Sequence, residues 1–416
     1  MNDVLTAREI QVVADLPAWF AVGGGEGLRN ALADPDAIVP TIEAAGLRGL
    51  GGAGFPTHRK WAAVAAQPPY PEGGGKWIVC NGNEDEPGTF KDRFLLSRTP
   101  HQVIEGALIA AVAVRANNIA LYVNPREDQS VVALRLSSAA WSAHPLLDQV
   151  SELVGAPVRL QVCQSSGLYV GGEETAAVAN VMGGFPFPSL KPPYPAERGV
   201  NGAPTLLNNV ETLAHVTHIL RHGAAWYREL GLGDAVGTKL YSLSGDVLRP
   251  GLHELPMGTS LRELVFGCGG GMLAGKGFKA VFTGGPSNTL LTDRDLDIAL
   301  DFDSLAARGS RLGTGAMIVV GEGTSILRKT AEYVAFFAAN SCGQCPSCKI
   351  GTHQVSRLLE RIDAGAGRPA DLDALENFTR LLPGSGRCGL VDGAATVLAS
   401  SLATFRSEYE RAVRRG

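Results

Sequence analysis

Between residues 36 and 162 the apolar positions switch repeatedly between two periods. Helical spacing over 36–45, 61–66, 103–113 and 129–139 is interrupted by short apolar runs at 77–80, 118–123 and 158–162. Runs of that length predict strands, and strands alternating with helices predict an α/β fold with a mainly parallel sheet. From residue 237 the texture changes. Segments 238–245, 247–256 and 279–283 read as short strands around one helix at 261–265, a small β-rich α+β module. From about residue 325 the pattern is helical, over 326–339, 352–364, 370–382 and 394–413. The expected organisation is an α/β domain over 1–236, the α+β module over 237–324 and a helical domain over 325–416.

Composition changes this picture little. The chain has 416 residues, 45% hydrophobic and 19% charged, with a net charge of −4. No basic stripe or aromatic-basic interleaving marks a nucleic-acid binder. The longest apolar run, around 107–114, falls far short of the roughly 20 residues of a membrane helix. The first residues carry acids and lack signal-peptide architecture, so the expected address is cytoplasmic, with any membrane association made through other subunits. The 52 glycines and 24 prolines gather at 46–54, 73–75, 167–172 and 267–277. Such patches between periodic segments read as turns and ligand loops.

The cysteines add chemistry. Cys342, Cys345 and Cys348 form C-x-x-C-x-x-C, and Cys388 follows forty residues later. Three clustered thiolates and one distant one suit a [4Fe-4S] cluster, which takes one cysteine per iron. Structural zinc is the competing reading, although its ligands usually come as two separate C-x-x-C pairs. Cys80, Cys163 and Cys268 have no partner at ligand spacing and read as small buried hydrophobes.

Four loops carry further candidates. Residues 49–54 satisfy G-x-G-x-x-G, but a helix precedes them where the dinucleotide fingerprint needs a strand. The glycines still allow backbone N–H groups to approach a phosphate; a plain tight turn is the alternative. Phe55, Arg59 and Lys60 follow, offering a stacking face and positive charge. The loop 80–88, at a strand end, presents Asn81, Asn83, Glu84, Asp85 and Glu86, either as ligand contacts or as a solvated acidic loop. Residues 167–176 place Glu173 and Glu174 at a helix start. The segments 191–195 and 204–212 add Tyr194, Asn208, Asn209 and Thr212. His215, His218 and His222 share a helical face and read as core or surface histidines in preference to metal ligands.

Together GLGGAGFPT, NEDEPGTFKDR, GGEETA, KPPYPA, PTLLNNVET and SCGQCPSC resemble the NADH-binding flavoprotein subunit of respiratory complex I. The diaphorase subunits of NAD-dependent formate dehydrogenases and NAD-reducing hydrogenases belong to the same family. The likeness implies an FMN-binding α/β domain, a β-grasp module and a C-terminal helical bundle with one [4Fe-4S] cluster. It implies that Gly49, Gly51, Gly52 and Gly54 hold the FMN phosphate, with Asn81, Asn83, Asn208, Asn209 and Thr212 around the flavin and ribityl chain. Phe55, Lys60, Glu84, Glu86, Glu173, Glu174 and Tyr194 would line the NADH side, Glu84 and Lys60 being the candidate catalytic residues. Cys342, Cys345, Cys348 and Cys388 would ligate the cluster. The implied activity is hydride transfer from NADH to FMN, then single electrons through the cluster to partner subunits, the first a thioredoxin-like [2Fe-2S] chain. Carboxylates at Glu84 and Glu174 would favour NADH over NADPH. Two alternatives are a diaphorase module working toward NAD reduction and a cluster-bearing scaffold without NADH binding. The chain departs from the family pattern at Leu50 (usually arginine), His58 (glycine), Ala63 (phenylalanine) and Asn83 (aspartate). Losing the phenylalanine removes one stacking face for adenine, an effect on the order of 1 kcal/mol.

Overall fold

The three apolar runs become β1 (Trp77–Gly82), β2 (Asn118–Val123) and β3 (Arg159–Gln164). A computed structural model describes residues 3–70 and 74–414; Gly73 of the glycine patch and the residues at both ends lie outside the described residues. The strands are wholly parallel, in the order β3-β2-β1-β4. The fourth strand, β4 (Thr205–Asn209), carries no alternation and was not expected from the pattern. β1 and β2 are covered on both faces, which explains their near-continuous apolar runs, while β3 at the sheet edge is partly exposed and alternates. Ile78 and Cys80 point into the core shared with the helices Pro100–Val114 and Val210–His222, whereas Val79, Ala120 and Tyr122 pack with Ala177 and Val178 of the helix Glu174–Val181. The chain builds β1, β2 and β3 outward in one direction, then returns to lay β4 on the other side of β1. That reversal opens a crevice beyond the carboxyl ends of β1 and β4, where open α/β sheets bind ligands.

A second sheet has five strands in the order β6-β5-β9-β7-β8. These are β5 (Thr238–Gly245), β6 (Gly251–Pro256), β7 (Phe278–Thr283), β8 (Leu291–Thr292) and β9 (Ala316–Gly321). β5 and β9 run parallel and the other pairs antiparallel. The expected helix at 261–265 is a short π-helical turn, Glu263–Cys268, and a second helix, Phe302–Ala307, joins it. This sheet lies between two cores, and the period of two sorts its side chains. Val281, Met317 and Val319 join the α/β core, while Ala280, Phe282, Ile318 and Val320 join the core of the C-terminal helices.

The last helices are Ile326–Ala339, Thr352–Asp363, Pro369–Leu381 and Leu390–Arg414. They pack on one another through Val334, Phe337, Leu359, Leu375 and Leu398. The first is capped by Ser325, whose hydroxyl accepts from the Arg328 N–H at 3.1 Å. Among the described residues no helix is long and apolar enough to cross a membrane.

Candidate active site

The glycine loop is a closed turn. Gly49 N–H donates to Phe55 O at 2.8 Å and Gly54 N–H to Gly49 O at 3.2 Å. Leu50 N–H donates to the buried Thr212 hydroxyl at 2.9 Å. The N–H groups of Gly51, Gly52 and Ala53 meet no protein acceptor among the described residues, and all three residues line the crevice. Successive free N–H groups in such a turn form an anion-binding concavity. Glycine is required at 51, because a Cβ there would lie 2.8 Å from the Asn209 Cβ.

The crevice is a cleft of about 560 Å³, a size that suits a flavin or dinucleotide. Its walls bring together Gly51, Gly52, Asn81, Asn83, Glu84, Glu86, Glu173 and Asn209 from the expected set. Asn81 donates to Gly172 O at 2.9 Å, and Asn209 donates to Asn81 O at 3.1 Å and to Asp92 at 2.8 Å. Asn83, where the family pattern has aspartate, donates its amide to Leu168 O at 3.2 Å, a bond no carboxylate can donate.

Glu84 plays a more local part than expected. Its carboxylate accepts from the N–H groups of Asp92 and Arg93 at 2.8 and 3.2 Å and from the Arg93 side chain at 2.8 Å, capping the helix Lys91–Arg98. Burial and the neighbouring Asp92 raise its pKa. Glu86 differs. Burial pushes it up to about 7 against the pull of hydrogen bonds from Tyr169 and Ser287, so it exchanges a proton near neutrality.

Other expected residues stand outside the cleft wall. Asn208 is buried and accepts from Trp61 Nε1 at 2.8 Å; Thr212 holds Leu50. Gly49 and Gly54 close the turn. Lys60 pairs with Glu174 at 3.3 Å and donates to Leu207 O at 3.2 Å. Lys191 pairs with both Glu174 and Glu173, joining this charged group to the cleft. Burial works to raise the Glu174 pKa, but Lys60 and Lys191 hold it below the usual value. Glu173 also caps the helix Glu174–Val181. Phe55 and Tyr194 are about half exposed and free to meet a ligand ring. His215 and His218 are buried, the latter bonded to Gln102 at 2.9 Å, and burial lowers both to about 4 and 3.

Sequence reasoning missed Tyr169, Asp92, Ser287 and Arg311 on the cleft walls. Tyr169 lay within a noted loop and Asp92 within the NEDEPGTFKDR motif; Ser287 and Arg311 had no motif to mark them.

The four cysteines, all free thiols, ring one small cavity with Val170, Pro188 and Val391. Among the described residues no three His, Cys, Asp or Glu are set to hold a single metal ion. Four cysteines on one cavity is the number a [4Fe-4S] cluster takes, one per iron. Ser341 Oγ lies 3.3 Å from Cys348 Sγ, and Arg387 N–H donates to Cys345 Sγ at 3.4 Å. Cys388, Val170 and Leu390 line both this cavity and the cleft. The two sites are contiguous.

Two family models match, the Nuo51 FMN-binding domain over residues 42–218 and the NADH-ubiquinone oxidoreductase-F iron-sulfur binding region over 328–412. A second NADH-quinone oxidoreductase F-type subunit of Rhizobium meliloti is 42% identical over 95% of this chain and 93% of its own. The chain belongs to the family of NADH-quinone oxidoreductase F-type subunits. The NADP-reducing hydrogenase subunit HndC of Solidesulfovibrio fructosivorans is 36% identical over 94% of this chain and 79% of its own. Among solved structures, a chain of NAD+-reducing [NiFe]-hydrogenase in the H2-reduced state is similar with a TM-score of 0.84 and 34% identity, covering 96% of this chain and 66% of that one. As a family member the chain is an NADH-oxidising flavoprotein subunit with FMN and a [4Fe-4S] cluster.

Proposed function

We propose that the cleft is where NADH, FMN and the cluster are brought into electronic contact. The observation that carries this is the wall shared by cleft and cysteine cavity through Cys388. Bound there, FMN accepts hydride from NADH and the cluster accepts electrons singly, for delivery to a partner protein. The free N–H groups of Gly51, Gly52 and Ala53 hold the phosphate, within the turn closed by Gly49 and Gly54. Asn81, Asn83 and Asn209 face the flavin and its ribityl chain, with Asn208 and Thr212 supporting from behind. Glu86 and Glu173 line the nicotinamide side, Glu84 shapes it through the helix it caps, and Phe55, Lys60, Glu174 and Tyr194 receive the rest of the dinucleotide. Cys342, Cys345, Cys348 and Cys388 hold the cluster.

This reading divides the chain into an FMN and NADH domain over 1–236, a β-grasp domain over 237–324 and a cluster-bearing helical bundle over 325–416. The mixed strand order with a parallel central pair supports the β-grasp assignment. Electrons leave to a thioredoxin-like [2Fe-2S] protein and further carriers, in a cytoplasmic assembly held at the membrane by other subunits. The likeness to hydrogenase chains favours a second reading, in which the same site works toward nicotinamide reduction.

Anaerobic titration with NADH, following flavin absorbance and the EPR signal of the reduced cluster, tests the proposal. Both signals respond in turn if it holds; a flavin that stays oxidised sinks it. NADPH in place of NADH is expected to react more slowly, because Glu174, which receives the rest of the dinucleotide, sets a carboxylate against a 2′-phosphate.

A further inference from the structure

Beneath the glycine loop lies a fully buried charge network that the site above leaves unexplained. Lys91, Glu211 and Lys239 each have no exposed side-chain surface. Lys91 pairs with Glu211 at 3.0 Å and donates to Asn209 at 3.0 Å. Lys239, from β5 of the second sheet, pairs with Glu211 and donates to the Leu50 carbonyl at 3.3 Å. The Leu240 N–H also donates to Glu211, at 2.8 Å. Burying two ammonium groups costs several kcal/mol in desolvation, and an apolar residue of equal volume would often fold as well or better. Besides its pair with Glu211, Lys239 makes a second bond that an apolar residue could not, the bond to the loop.

That bond completes a clamp. The Leu50 N–H is held by Thr212 and the Leu50 carbonyl by Lys239, so both polar ends of this residue are engaged inside the protein. The next three residues are those whose N–H groups remain free and line the cleft. We infer that Lys239 is a positioning residue: the second sheet reaches across the domain boundary and, through Leu50, sets the orientation of the N–H groups that receive the ligand's phosphate. The inference rests on the reading that this loop holds FMN phosphate. At neutral pH the lysine keeps its charge, since burial lowers it only to about 8.

The test uses full-length apoprotein and two probes, FMN and riboflavin, which differ only in the phosphate, with binding followed by flavin fluorescence. Lys239→Met is expected to weaken FMN about tenfold and leave riboflavin unchanged. Thr212→Val, which frees the other end of the same residue, should lower the FMN-to-riboflavin ratio likewise, and the double variant should lose no more than the larger single effect. A purely structural role would weaken both probes together. Wild-type ratios in Lys239→Met overturn the inference. Should that variant fail to fold, an unchanged ratio in Thr212→Val overturns it instead. A wild-type chain that takes up no FMN overturns the underlying reading as well, and does so before any variant is made.

Discussion

The cysteine cavity and the cleft share a wall yet are built in opposite ways. Three of the four cysteines lie within seven residues of chain, between two helices that pack on each other. The cleft draws on 51–53, 81–92, 169–173, 209, 284–288, 311–314 and 388–393. A local constellation carries its chemistry in residue type and spacing. A distributed one spends many of its residues on holding others in place, as Glu84 holds a helix and Thr212 a loop. The comparison teaches that a polar residue in a loop motif is as often scaffold as contact, and only its partners tell which.

The contrast can be broken most sharply at Cys388, which serves both sites. Cys388→Ser is expected to abolish the cluster EPR signal while NADH still bleaches the flavin; loss of both responses would mean that the two sites are not separable. Gly51→Val acts on the cleft alone. The added side chain meets Asn209, at a cost of about 2 kcal/mol, or roughly thirtyfold in FMN affinity, with the cluster signal intact.

Glu86 sharpens the comparison through pH. Its folded pKa of about 7 lies above the usual 4.5. Its stabilising contribution is therefore complete below pH 4.5 and is lost as pH rises through 7. Glu86→Gln should stabilise the apoprotein by ~1.5 kcal/mol at pH 8.5 and leave it unchanged at pH 4.5, a value below the full shift because the cleft admits solvent. Denaturant titrations at the two pH values measure this, and equal differences at both would refute it. The smallest effect is expected at Ala63, exposed on the helix after the glycine loop. Ala63→Phe should lower the KM for NADH about fivefold by adding a stacking face worth ~1 kcal/mol. An unchanged KM would place adenine elsewhere.

Residue order alone was enough to locate the parallel strands β1, β2 and β3, the late helices and the cysteine set, because apolar period and ligand spacing are properties of neighbouring residues. It also marked the glycine, acidic and amide loops as candidates. It did not disclose β4 or β9, whose runs carry no alternation and become strands by pairing with β1 on one side and with β5 and β7 on the other. Nor could it separate Glu86, left facing the cleft with a raised pKa, from Glu84, consumed as a helix cap two residues earlier. Tertiary structure alone set Lys239 under Leu50, 189 residues away in the chain. The physical reason is common to all three cases: a charged group acquires its role from burial and from its hydrogen-bond partners, and both are decided by packing between segments remote in sequence.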